Sequence, residues 1–276
     1  MHQPFTVPAT CKVSYLDIMQ KDDLVTLFPE INGSDIIKPD YIGNIAHNSV
    51  VELTKRKFNF IIANHVLEHV PNPIKAVMNI WAGLEDNGYL VLSIPDKNYT
   101  FDKDRLLTPY EHLLAEYYLD VHEVSDEHYI EALQHIHPHV FDSKDALINA
   151  LYAFRLRSEH AHVWDSHSFR GHLSRIIQEN RLNALILVES PGELNKLEYF
   201  AVIKKTVSKD DIDGGMRILS ALYDDRKDLR KAFPDFSMGN SSSLIKWALN
   251  AERFGDSDAY LLKGFKESFL SYLDVL

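Results

Sequence analysis

Residues 58–96 read FNFIIANHVLEHVPNPIKAVMNIWAGLEDNGYLVLSIPD, and the order of apolar runs in this stretch decides the fold class. Residues 58–63 are nearly continuously apolar over strand length, as in a parallel strand covered on both faces. After Pro73, the residues Ile74, Val77, Met78 and Trp81 recur on one side of a helix. Gly88 ends the connection, and residues 89–94 (YLVLSI) form a second buried strand. Strand, helix and strand at this spacing make a βαβ unit with a parallel sheet.

Working outward, residues 12–16 (KVSYL) are a β-branched and aromatic run that ends at Asp17. A helical pattern covers residues 21–28 and is closed by Pro29. Residues 35–37 read as another short strand before Pro39. On the other side, residues 97–167 are polar, rich in Tyr and His, and too long for an ordinary connection. This insertion should carry helices of its own, around 109–119 and 144–154. Residues 184–189 (ALILVE) and 198–204 (EYFAVIK), with Pro191 and Gly192 between them, suit an antiparallel hairpin at one edge of the sheet. Residues 208–215 (SKDDIDGG) read as a linker, and Leu219, Leu222, Leu229, Leu244, Trp247, Ala248 and Ala251 recur at helical spacing beyond it. The expected organisation is an α/β domain over residues 1–207, with its insertion at 97–167, and a small helical domain over 216–276.

Bulk properties narrow the function. The 29 Lys and Arg against 40 Asp and Glu give a net charge of −11, a poor match to a phosphate backbone, so no nucleic-acid partner is expected. Cys11 is the single cysteine, which excludes an internal disulfide and fits a reducing cytoplasm. No apolar run approaches the length of a membrane span, so no membrane insertion is expected. A homo-oligomer is compatible with this composition.

The quoted segment closely resembles class I S-adenosylmethionine-dependent methyltransferases of the methyltransferase-11 type: an apolar strand, a small residue with VLEHV, a helix, an Asn- or Gly-bearing turn, and a strand ending in Pro. The later IPDKNYTFDKDR and HAHVW are similar to a subgroup associated with bacterial surface-glycan synthesis. The resemblance spans residues 1–205. It implies a Rossmann-like, doubly wound, mostly parallel sheet with S-adenosylmethionine as cofactor, bound outside the carboxyl ends of the strands. It also implies site residues. Asp17 would take the ribose hydroxyls, since a carboxylate accepts two hydrogen bonds. Gly43, Asn44 and Ile45 would flank the adenine, and Asn64 and His65 would sit beside the cofactor. Pro95 and Asp96 would face the acceptor, with His65, Asp96 and His162 as candidate bases.

One family feature is not found. The family's first strand ends in a glycine loop, yet the residues ahead of Lys12 contain no glycine and resemble the connector that follows that loop. The resemblance therefore implies that the central strand is missing from this sequence. Its absence predicts weak binding of S-adenosylmethionine. Two functions follow. One is a methyltransferase that acts on a sugar or another small acceptor in surface-polysaccharide synthesis. The other is a non-catalytic scaffold or regulatory protein of the same fold. Among the 14 histidines, His135, His137 and His139 alternate, as do His160 and His162. Zinc can use such residues, but a histidine-rich loop also gives this pattern, and no metal is assigned from it. His69 reads as a packing and hydrogen-bonding residue, and Asp102, Asp104 and Arg105 as a salt-bridged loop near the acceptor pocket.

Overall fold

A computed structural model describes residue 7 and residues 10–207; the expected linker and the 216–276 helical domain lie outside the described residues. Helices α1 (Lys21–Leu27) and α2 (Val50–Thr54) lie in the first part of the chain, and the strands form two ladders. β1 (Leu16–Asp17) pairs in parallel with β2 (Tyr41–Ile42), and β3 (Phe58–Asn64), β4 (Leu84–Pro95), β5 (Ala184–Ser190) and β6 (Glu198–Lys205) lie in the order β3–β4–β6–β5. β3 and β4 are parallel, while β6 runs antiparallel to both β4 and β5. This is a Rossmann-like α/β fold with a hairpin on one side.

The βαβ unit is built as its sequence demands. Asn72 accepts a hydrogen bond from Lys75 N at 3.0 Å and caps α3 (Pro73–Ala82), and Pro73 at the first position gives up no needed donor. Ile74, Ala76, Val77, Ile80 and Trp81 are buried on this helix, each large apolar chain contributing about 1.5–3 kcal/mol. β4 starts earlier than its apolar run: Phe58 pairs with Leu84, and the register resumes at Phe60 with Tyr89. Gly88 sits inside the intervening bulge, where a Cβ would lie 2.8 Å from Glu85 O and 3.0 Å from Asn59 O. Only glycine fits there.

Two short strands differ from expectation. Of residues 12–16, only Leu16 is in strand geometry, together with Asp17. Residues 35–37 form no strand: residues 33–35 are a turn, in which Asn32 accepts from Ser34 N through its side chain and from Asp35 N through its carbonyl. Such local bonding competes with a ladder. The partner strand forms five residues later, where Asp40 N and Tyr41 N both donate to Tyr15 O.

The 97–167 segment holds α4 (Tyr110–Tyr118), α5 (Asp126–Ile136) and α6 (Lys144–Arg157); the middle helix was not anticipated. Its ends are tied to the chain just past the carboxyl ends of β3 and β4. Ala161 N and His162 N donate to Glu68 O, and Lys97 N donates to Trp164 O. No helix among the described residues is long and apolar enough to cross a membrane.

Candidate functional site

The ends of β1 and β2 bring the first group of residues together. Gly43 N donates to Asp17 O at 2.9 Å, so the expected ribose ligand and the expected adenine-flanking turn are backbone neighbours. Asp17 Oδ1 also accepts from Met19 N. Asn44 turns the chain by accepting from Ala46 N at 2.8 Å, and Ile45 O accepts from Asn79 Nδ2 at 2.7 Å. The last contact anchors this loop on α3.

The second group lies where β3 ends. Asn64 pairs with Ser93 of β4, and Asn64 Oδ1 and Ser93 Oγ are both buried without a hydrogen-bond partner among the described residues. Next to them His65 has φ 50°, a left-handed conformation that costs an L-residue roughly 1–2 kcal/mol. Its backbone N–H reaches Ser93 O at 3.1 Å, and its Nε2 lies 2.6 Å from Glu198 Oε2. Burial disfavours the imidazolium, but the Glu198 hydrogen bond, with Glu68 and Glu198 as nearby charges, outweighs it and raises the imidazole above its ordinary range. A side chain held against a carboxylate in a strained backbone is a common device at reaction centres.

Asp96 and His162, two of the candidate bases, are both about 1% exposed. Asp96 Oδ2 accepts from Ser166 N and Oγ, and Oδ1 accepts from Asn98 N and Nδ2. Its acceptor capacity is used to join the end of β4 to the start of α7 (Ser166–Glu179). His162 Nε2 donates to Val70 O at 3.0 Å, and burial holds its pKa down to about 3. It packs flat against Trp164 at 5.5 Å between centroids. Both residues are placed as structural joints, and His65 is the candidate base that retains exposure.

Asp102 and Arg105 form the anticipated ion pair at 2.8 Å, with both side chains buried. Arg105 also reaches Glu131 at 2.8 Å and His160 O at 2.9 Å, and His160 Nδ1 lies 2.7 Å from the other Asp102 oxygen. The alternating histidines do not converge. His135 turns to Glu131 O on its own helix, His137 meets His139 and Phe154 edge to face, and His160 and His162 engage different partners. Sequence reading missed two carboxylate centres. Glu116 gathers His112 at 3.1 Å, His128 at 3.3 Å and His162 at 3.5 Å, and the His112–Glu116 spacing of one helical turn was a usable signal. Glu68, 1% exposed, lies within 4 Å of His65 and His69.

Comparison with known proteins now bears on this geometry. The profile of a methyltransferase domain family matches residues 24–176, more than half of the chain. The chain belongs to this methyltransferase domain family. It is also 24% identical over 166 residues to the dermonecrotic toxin LruSicTox-alphaIC1c of Loxosceles rufescens, covering 59% of this chain and 52% of the toxin. The chain thus spans about half the length of that curated relative, and at this identity the likeness transfers no activity. The family match covers β2, β3, β4 and the whole 97–167 segment, so Gly43, Asn44, Ile45, Asn64, His65, Asp96 and His162 fall inside it and Asp17 outside. Methyltransferase domains of this family generally use S-adenosylmethionine.

Proposed function

We propose that the protein is an S-adenosylmethionine-dependent methyltransferase acting on a small acceptor, for which a sugar hydroxyl is the class implied by the sequence resemblance. The observation that carries the reading is His65: a partly exposed imidazole at the carboxyl end of β3, strained in the backbone and braced by Glu198. The cofactor also suits the residues around it. Asn64 Oδ1 is a buried acceptor with no donor, and the ammonium and adenine amino groups of S-adenosylmethionine are donors. Asp17 would hold the ribose, and Gly43, Asn44 and Ile45 the adenine side.

When bound, S-adenosylmethionine supplies a methyl group on a cationic sulfur for in-line displacement. This chain's residues would do the rest. His65 would accept the acceptor's proton through its imidazole, and Glu198 would stabilise the resulting imidazolium. Asp96 and Ser166 would fix the end of β4 so that the acceptor is held in line, where alignment is worth the most.

Calorimetric titration with S-adenosylhomocysteine tests the binding half. Asp17→Ala should weaken binding by about tenfold or more, the value of a charge-assisted hydrogen bond of roughly 1.5–3 kcal/mol. An unchanged dissociation constant would remove Asp17 from the site. Transfer of labelled methyl to nucleotide sugars and free sugars tests the catalytic half. His65→Gln should lower kcat by roughly 10²–10⁴-fold with little change in cofactor affinity. Full activity in that variant would dismiss His65 as the base.

A further inference from the structure

We propose that Glu68, His69 and His160 form a binding site for a divalent zinc-class cation. One ligand atom from each residue lies within 4.8 Å of the other two, and the donor set of two imidazoles and one carboxylate is that of three-ligand zinc sites, which leave a fourth position for water or a substrate oxygen.

Three features raise this cluster above a chance meeting of histidines. The first is Glu68. It is 1% exposed, and neither carboxylate oxygen has a hydrogen-bond partner among the described residues. A buried carboxylate with both oxygens unsatisfied is costly unless a cation meets it. The neighbouring imidazole nitrogens, His69 Nε2 at 3.7 Å and His65 Nδ1 at 3.8 Å, stand too far away to donate. An ion between Glu68 and the imidazoles fills that deficit.

The second feature is the outer shell. Zinc-binding histidines characteristically use their second ring nitrogen on a carbonyl or carboxylate, which fixes the tautomer and turns the other nitrogen to the metal. Both histidines here are held that way. His69 Nδ1 donates to Ser158 O at 2.6 Å, leaving Nε2 directed to Glu68. His160 Nδ1 lies 2.7 Å from Asp102 Oδ2, itself locked by Arg105 at 2.8 Å, leaving Nε2 as the lone-pair nitrogen. The two rings meet edge to face, 4.8 Å between centroids. The histidines around Glu116 differ, because His112 and His128 there spend Nε2 on Glu116 Oε1 itself.

The third feature is how the fold delivers these groups. Glu68 and His69 occupy a short helical turn, Leu67–His69, which follows the end of β3 at Asn64 after His65 and Val66. His160 arrives from the far end of the 97–167 segment, where the N–H groups of Ala161 and His162 both donate to Glu68 O. Zinc–ligand bonds of about 2.0–2.1 Å need only a small inward movement of side chains whose backbones are already joined. Glu68 and His160 wall one recess with Pro95, Lys97 and Trp164, so the ion would stand beside the end of β4.

The test uses the full chain, purified without a histidine tag, stripped with chelator and titrated with Zn²⁺ alone. One equivalent should bind, tight enough to compete with a chromophoric chelator, and Co²⁺ should give the intense visible bands of a four-coordinate site. His69→Gln and His160→Gln should each weaken Zn²⁺ binding by more than about 100-fold, beyond the roughly 10–100-fold cost of outer-shell changes. His128→Gln should leave it unchanged. Glu68→Gln should also abolish binding; if it does not fold, His69→Gln, which changes a side chain one-third exposed, carries the test with circular dichroism as the folding control. Failure to bind Zn²⁺ at micromolar concentration overturns the proposal. So does binding that survives both histidine variants or is lost in His128→Gln. None of these readouts depends on methyl transfer.

Discussion

Ser166 and Asp96 are 70 positions apart, and Ser166 donates both its backbone N–H, at 2.9 Å, and its hydroxyl, at 2.6 Å, to one oxygen of Asp96. The same hydroxyl oxygen accepts from Gly192 N at 2.7 Å. Three separate segments therefore meet at one buried serine: the end of β4, the first turn of α7, and Gly192, which opens α8 (Gly192–Asn195). Gly192 has to be glycine, since a Cβ would lie 2.6 Å from Asp96 Cβ.

Removing the Ser166 hydroxyl is predicted to destabilise the protein through this joint alone. Ser166→Ala takes one charge-assisted bond from Asp96 and leaves the Gly192 N–H unpaired, a combined cost of roughly 2–4 kcal/mol. Denaturant unfolding should show the midpoint falling with an unchanged slope. A loss under about 0.5 kcal/mol, the range of ordinary surface changes, would mean that water replaces the hydroxyl and that the joint is not tight.

Arg105 supplies the second prediction. Its guanidinium is 1% exposed and bridges Asp102, Glu131 and two backbone carbonyls. Arg105→Met fills similar volume but strands the buried Asp102 charge, and breaking a buried pair from one side costs about 3–5 kcal/mol. The double variant Arg105→Met with Asp102→Leu should recover part of that loss, because the one carboxylate left without Arg105, Glu131, is partly exposed. A single variant as stable as the parent would show that Asp102 is solvated in solution.

The Glu116 cluster should give stability a pH window. The hydrogen bond that His112 Nε2 donates to Glu116 is the leading cause that raises His112 above its ordinary 6.5, with burial opposing it. For Glu116, burial opposes ionisation, but the His112 and His128 hydrogen bonds outweigh it and hold the carboxyl below its ordinary 4.5. A raised imidazole stabilises fully below its unfolded pKa, and this contribution is lost as pH rises through the folded value. A depressed carboxyl stabilises above its unfolded pKa, and its contribution is lost as pH falls through the folded value. The pair is thus strongest between about pH 4.5 and 6.5. Nuclear magnetic resonance titration should place His112 above 6.5 in the parent and lower in Glu116→Gln. Equal values in the two proteins would refute the coupling.

What could be read in the sequence follows from how local each signal was. The βαβ unit was legible because β3, α3 and β4 each carry their own periodicity and their own cap, Asn72 followed by Pro73. The strand at residues 35–37 was misread because a side chain, Asn32, captures the local N–H groups, and apolar pattern does not register that competition. The candidate site divides the same way. Asp17, Gly43 and His65 lie at strand ends, which sequence can locate. The partners that define their chemistry come from far along the chain: Glu198 is 133 residues from His65, and Asp102 is 58 from His160. No spacing rule reaches across such distances; the local pairs His112–Glu116 and His65–Glu68 were readable, but their distant partners His128, His160 and His162 came only with the fold.

The last prediction concerns β3. In the ladder order, β3 stands at the end among the described residues, and β1 and β2 form a separate pair. β4 lies between two strands, and residues 88–95 are all buried. In β3, by contrast, Ala63 is the single fully buried residue. A strand so apolar is expected to be covered on both faces and paired on both edges. Amides of a strand only half-covered by side chains open at lower free energy than those of a fully buried strand. Hydrogen exchange followed by mass spectrometry should therefore show peptides over residues 58–64 exchanging faster than peptides over 89–95. Addition of S-adenosylhomocysteine should slow exchange at 58–64 more than at 89–95, because Asn64 and His65 end that strand. If the two segments are equally protected in the free protein, the edge of β3 is covered in solution by another strand, from this chain or from a second copy. Protection that depends on protein concentration would identify the second copy.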